Sequence, residues 1–466
     1  MAEPTPQDQI RQHITGKANQ ALGGTHNLVP VDVGGVGHFP YNYKDVNNIF
    51  SATTWTWINR LAVPTSSEVV GIGEPLTTRY DILLGKLSYQ LSKDDTAKKI
   101  KAGNDALVVA QQVVALYEEL YGAIAPADLA GAKARTKIDY ITSYMLAQWA
   151  SPNKLSLTQQ NIRNLTRQLP NLPPSAQTLV PVITAYLDKM VSVLGLQNDV
   201  GNASFLLSNL QQNTESATAN NGGLPTTDGK VHPGYTVSPS QGDINNALNS
   251  DNGFVLKASA KSYNEDKVEL TIDGRAMVYI PIVDLFGIGG GGSIHYSLDQ
   301  LNTERSAFEL EMTFKGVTGV SFRPTDYQED SLSGWWYPQP LREAFANREK
   351  DDFSGWALTP FPEDTGFARF AFLAISQPPT IKVTFSAGEA SAQARTLETH
   401  SSVDVSFLGI PIASSEQHYK STKIEQNESG QGYSITFNAP PPSAGLLSQT
   451  AYVLGGQLEE PFNTVL

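Results

Sequence analysis

Residues 279–297 read YIPIVDLFGIGGGGSIHYS, an apolar run that enters four consecutive glycines and leaves through His295 and Tyr296. Glycine-rich loops hold phosphate when their amides open a helix. Here no GxxxxGKS or GxxxxGKT pattern is present, and the SIHYS that follows is strand-like, so the helix N-terminus is missing. GGVGHFP at 34–40 lacks the third glycine of a dinucleotide fingerprint and runs into Pro40. The seven histidines are scattered without an HxH or HExxH pair, and neither an EF-hand loop nor a GxSxG elbow occurs. No catalytic residue, metal site or cofactor is therefore expected, and the chain is read as non-enzymatic.

The glycine stretch has an echo. DLFGIGGGGSIHYS (284–297) parallels SFLGIPIASSEQHYKS (406–421), with Gly287 opposite Gly409 and, after one residue of slippage, His295 opposite His418 and Tyr296 opposite Tyr419. Such self-similarity reads as a duplicated strand–turn–strand unit. Its tips would be Leu285, Phe286, Gly287 and Ile288 in one copy, and Phe407, Leu408, Gly409 and Ile410 in the other. His295 and His418 would titrate together near about pH 6.5 if both returned to one surface. The plainer alternative makes them hydrogen-bonded strand histidines.

The second copy alternates in side-chain character. Ala390, Ala392 and Ala394 interleave with Ser391 and Gln393, and Val403, Val405 and Phe407 interleave with Asp404 and Ser406. This pattern resembles the amphipathic hairpins of β-pore-forming proteins. The resemblance implies limbs that turn small apolar side chains to lipid and polar ones to a lumen, every backbone group being satisfied by a neighbouring strand. A half-exposed hairpin in a sandwich shows the same alternation. SGWWYPQP (333–340) offers a similar choice, because Trp335 and Trp336 serve either as interfacial anchors for lipid or sugar or as core.

The elements that must carry these features follow from the periodicity. Four amphipathic helices are expected from Lys93 to Gly195. They bury, in turn, a stripe through Ile100, Leu107, Ala110, Val114, Tyr117 and Tyr121; one through Ile138, Ile141 and Met145; one after Ser156; and one through Ile183, Tyr186, Leu187 and Met190. Residues 211–253, rich in Asn, Gln, Ser, Thr, Gly and Pro, read as a linker. Beyond it the period becomes two, in KVELTIDG, FELEMTFKG, RFAFLAIS, IKVTFSAG and GYSITFNA, with a helix expected at PLREAFANREK. The expected fold is α+β and multidomain: a mixed segment at 1–92 with extended stretches including SATTWTWINRLAV, a helical bundle at 93–210, the linker at 211–253, and a sandwich-like antiparallel β domain at 254–466.

Composition narrows the partners. A formal net charge of -13 supplies no basic stripe for nucleic acid and no attraction to anionic lipid. The absence of cysteine removes disulfides, thiolate metal sites and thiol nucleophiles. No run reaches the roughly 18 uninterrupted apolar residues of a spanning helix, and the start lacks a basic-then-apolar secretion signal. The chain is thus expected to be soluble, and either cytoplasmic or released by a route without a cleaved signal. It is expected to form homo-oligomers and to meet a lipid membrane or a cell-surface receptor as a pore-forming, toxin-like protein. The alternatives are a self-assembling filament, coat or particle subunit, and a glycan-binding module or hydrolase.

Overall fold

In a computed structural model the chain forms two compact units, one of Met1–Gly85, Leu210–Pro338 and Pro362–Leu466, the other of Lys86–Asn209 and Gln339–Phe361. The structure describes residues 5–460 apart from 147–161, 163–164, 168, 265–266, 275, 282–285, 290–307, 361–366, 386–403, 408–409, 412–419, 427–432, 439–440 and 443–445. Helices and predominantly antiparallel sheets are both present, so the class is α+β. The two units cut across the four segments expected from composition.

The first unit is organised around the strand Ala368–Ser376 (ARFAFLAIS), seven of whose nine residues are largely apolar. A strand apolar on both faces belongs in a sheet interior, and this one pairs with Thr318–Pro324, Thr450–Glu459 and Arg60–Pro64 within an eight-stranded sheet. Phe39, Trp57, Phe322 and Phe370 pack as ring contacts against it, with Phe39 and Trp57 edge-to-face at 5.3 Å. Arg369 lies in the same strand, 3% exposed. Its Nη1 donates to Phe322 O at 3.0 Å and to Phe370 O at 3.3 Å, and its Nη2 pairs with the Glu459 carboxylate.

Residues 1–85 are integral to this unit. The helix Pro6–Ala21 opens with a capping box, Thr5 accepting from Asp8 N while the Asp8 carboxylate accepts from Thr5 N. It buries Ile10, Ile14 and Ala18, and Thr15 Oγ1 donates to Leu454 O at 2.6 Å. The WTW stretch, expected to be extended, is the helix Ala52–Ile58, started by Ser51 accepting from Thr54 N. A local capping hydroxyl outweighs the strand preference of its Thr and Trp residues.

Residues 211–253, expected to be a linker, are ordered. They complete the helix Val180–Glu215, form the hairpin of Gly223–Pro225 with Val231–Pro233, add Tyr235–Ser238 to the eight-stranded sheet, and end in the helix Gln241–Leu248. Much of this polarity is met by hydrogen bonds within the unit. Asn213 Nδ2 donates to Leu332 O and Gly334 O, at 3.0 and 2.7 Å, and Asn245 Nδ2 donates to Asn42 Oδ1 at 3.0 Å.

A second sheet of this unit has seven antiparallel strands, in the order Ala276–Pro281, Lys267–Ile272, Gly253–Asn264, Phe308–Lys315, Thr380–Phe385, Tyr433–Asn438, Lys420–Gln426. The period-two reading holds where side chains are described: Leu270, Ile272, Leu310, Met312 and Phe314 are all buried. Gly316 has φ +66 and lies against Leu248 O, a place where a Cβ would stand 2.1 Å from that oxygen.

The second unit contains the helices Lys93–Tyr121 and Pro126–Ala132, the Val180–Asn209 part of the long helix, the helix Gln339–Ala346 expected from PLREAFANREK, and a two-stranded sheet of Leu87–Gln90 with Gly355–Leu358. Ser92 caps the first of these, accepting from Asp95 N at 3.0 Å. Its buried stripe is Ala106, Ala110, Val113 and Tyr117, while Ile100 and Leu107 are 59% and 60% exposed. Ala110 and Tyr117 of the expected stripe are thus buried, while Ala106 and Val113 take the places expected of Ile100 and Leu107. The helix expected to stop at Gly195 runs on to Glu215, with Pro181 tolerated in its first turn.

The Arg369 pair gives a direct test. Glu459→Gln leaves a buried guanidinium without its counter-charge and should lower unfolding free energy by about 3 kcal/mol, read as the shift of the urea midpoint followed by tryptophan fluorescence.

Candidate functional site

The two copies of the sequence repeat meet each other. Phe286–Gly289 pairs antiparallel with Asp404–Phe407, placing Phe286 opposite Phe407, Gly287 opposite Ser406, Ile288 opposite Val405 and Gly289 opposite Asp404. The second strand turns back into Ile410–Pro411, with Phe407 opposite Ile410, to make a separate three-stranded sheet. Four of the expected tip residues, Phe286, Gly287, Ile288 and Phe407, thus lie on adjoining strands, and Ile410 on the third. Leu285, Leu408, Gly409, His295 and His418 lie outside the described residues. Farther along the chain, Lys420–Gln426 pairs with Tyr433–Asn438 at an edge of the seven-stranded sheet.

Trp335 and Trp336, considered as interfacial aromatics, are 1% and 2% exposed and belong to the core of the first unit. Trp335 Nε1 donates to Gly234 O at 2.8 Å, and the Arg369 guanidinium carbon stands 5.9 Å from the Trp336 ring centre. Their amphipathic rings meet polar backbone and a buried cation, which removes the reason for an interfacial position.

A feature that the sequence did not signal is a groove of about 1080 Å³ between the helix Pro6–Ala21 and the polar face of the seven-stranded sheet. Strand register builds that face in rows. Thr271, Ser259, Glu309 and Thr384 stand side by side on four strands, and Lys257, Glu311 and Lys382 form the next row. Lys257 pairs with Glu311 at 3.2 Å. From the helix, Lys17 pairs with Asp273 at 2.7 Å and donates to Val255 O at 2.7 Å, while His13 and Gln12 complete that wall. Thr271 is 3% exposed, and its hydroxyl has no hydrogen-bond partner among the described residues.

Elsewhere in the first unit, Asp81 stands beside Glu215 at the end of the long helix. Burial first, and the neighbouring Glu215 carboxylate second, push the Asp81 carboxyl above its usual range. Residues so distant in the chain carry no sequence signal of their meeting. Among the described residues no group of three or more His, Cys, Asp or Glu is placed to hold a metal ion. The stretch Pro174–Glu215 contains an 18-residue window of mean hydropathy 1.6, of which 22% is buried, so by length and composition alone it would suffice to cross a membrane. Asp188 and Lys189 lie within the same helix, and part of it, from Val180 to Leu194, packs into the core of the second unit.

No family model, curated protein or solved structure matches the chain.

The raised Asp81 carboxyl sets a pH dependence. An acid whose folded value is raised keeps its proton longer in the folded chain, so ionising it costs stability as pH climbs above the ordinary carboxylate range. Asp81→Asn removes that cost: its melting temperature should exceed the parent's at about pH 7 and match it at about pH 3, where the carboxyl is protonated folded or unfolded. Differential scanning calorimetry at the two pH values reads the difference.

Proposed function

We propose that this protein is a non-enzymatic, self-associating membrane-attacking protein of the β-pore type, in which the two repeat ribbons are the inserting elements. The observation that carries the reading is the pairing of Phe286–Gly289 with Asp404–Phe407 in a small sheet of their own. Two copies of one ribbon held against each other satisfy one another's backbone groups while the chain is in water. Separated, each would present unpaired N–H and C=O groups, which hydrocarbon penalises by several kcal/mol apiece. Insertion on this reading therefore requires neighbouring copies to supply the missing strand partners, so assembly precedes entry. The long apolar helix, incompletely buried over its most apolar window, offers additional surface for a membrane or for neighbouring copies. With a net charge of -13 the approach to lipid is apolar, and anionic lipid is not expected to strengthen it.

A second reading, a self-assembling filament or particle subunit, is favoured by the edge of the seven-stranded sheet. Among the described residues its terminal strand Ala276–Pro281 (AMVYIP) carries no charge, whereas the opposite edge, Lys420–Gln426 (KSTKIEQ), carries two lysines and a glutamate. Charged edges resist strand addition, and an uncharged one invites it.

A chain without cysteine permits an unambiguous lock. Opposed residues in an antiparallel pair have Cα atoms about 4.5–5.5 Å apart, inside the reach of a disulfide. The double variant Ile288→Cys, Val405→Cys, once oxidised, should release no dye from phosphatidylcholine vesicles and recover parental leakage on reduction. Oxidised protein that leaks as fast as the reduced form, or parent protein that leaks nothing, ends the pore reading. Ordered assemblies of the parent in negative stain without lipid would then favour the second.

A further inference from the structure

We infer that the groove between the helix Pro6–Ala21 and the polar face of the seven-stranded sheet is a binding site for an acidic carbohydrate, a sugar chain bearing carboxylates. The inference is independent of membrane attack. A cavity of about 1080 Å³ is large enough for a short oligosaccharide. Its walls exclude the commoner ligands of a cavity this size. Among the described residues no Phe, Tyr or Trp and few large apolar side chains line it, so neither an apolar ligand nor a neutral sugar held by stacking on such a ring is favoured.

What the walls offer is hydroxyls, amides and a small set of charges. Two of the three lysines are neutralised within the site, Lys17 by Asp273 at 2.7 Å and Lys257 by Glu311 at 3.2 Å. Lys382, across from Glu311 on the next strand, makes no ion pair among the described residues, and neither does Glu309. The free ammonium suits a ligand carboxylate. The free carboxylate suits sugar hydroxyls, to which it presents acceptors only.

Thr271 supplies the second, independent sign of a ligand. Its side chain is buried in the groove wall, yet its hydroxyl has no partner among the described residues. A buried hydroxyl without a hydrogen bond costs stability, and natural chains retain few of them. A bound sugar hydroxyl would satisfy it. Thr384 and Ser259 on neighbouring strands extend the same row of hydroxyls.

The full-length chain, titrated calorimetrically, is expected to bind sialyllactose or trigalacturonate and to ignore lactose and hexaglutamate. Lys382→Gln should weaken binding about tenfold or more, the loss of one charge-assisted hydrogen bond, and should flatten its dependence on salt. Thr271→Val should weaken it about fivefold, while leaving the melting temperature unchanged or higher, because it deletes an unsatisfied buried group. Binding of hexaglutamate as tight as that of the sugars would show charge attraction alone and overturn the proposal. So would the absence of binding by either acidic sugar at millimolar concentration, or binding that both variants leave unchanged. Vesicle leakage does not enter any of these readouts, so the groove and the ribbons fail or stand separately.

Discussion

The first unit depends on one buried charge. Arg369 sits in the strand Ala368–Ser376, 3% exposed, with its guanidinium shared between two backbone carbonyls, the Glu459 carboxylate and the face of Trp336. A cation taken out of water needs its charge answered and most of its donors used; here both Nη atoms are bonded, while Nε has no partner among the described residues. That requirement ties together strands from three regions of the chain: Phe322 from Thr318–Pro324, Glu459 from Thr450–Glu459, and the Trp336 stretch beside them. Burial lowers the guanidinium's proton affinity, and Glu459 works against that shift. Without the pair, the central strand would still be apolar, but its register against its neighbours would lose a fixed point.

A second constraint shapes the seven-stranded sheet. Side chains alternate across a strand, so the register that buries Leu256, Ala258, Leu310, Met312 and Ile381 on one face must gather Lys257, Ser259, Glu309, Glu311 and Lys382 on the other. The groove follows from this. Its charged rows are the reverse side of the packing, and the N-terminal helix, docked by Ile10, Ile14 and Ala18, supplies the facing wall.

The repeat shows how local likeness can acquire a tertiary meaning. Two segments with the same Gly-Ile motif are brought into one small sheet, antiparallel, where each serves as the other's partner. Strand pairing needs only a complementary backbone and a compatible side-chain face, and two copies of one sequence provide both. The proposed pore function and the proposed assembly function both turn on what happens to strand edges when such pairings are exchanged between chains.

The sequence by itself determined where the apolar periodicities run, and so the helix from Lys93, the helix in PLREAFANREK, the strand faces of FELEMTFKG and the existence of the repeat. These are local or short-range features, set by side-chain period and backbone conformation. Tertiary structure alone decided that residues 1–85 join strands near the carboxy terminus, that the polar stretch 211–253 is folded, that Trp335 and Trp336 are core, and that the repeat copies pair. It also decided which face of Lys93–Tyr121 is buried, keeping Ala110 and Tyr117 of the expected stripe but taking Ala106 and Val113 over Ile100 and Leu107. The physical reason is common to all of these. A polar or aromatic residue is neutral about its place until a partner is found, and hydrogen bonds such as those of Asn213, Trp335 and Arg369 are made to groups that are remote in the chain. The groove is the extreme case: its lysines, carboxylates and hydroxyls are ordinary surface residues in sequence, and only strand register sets them in rows.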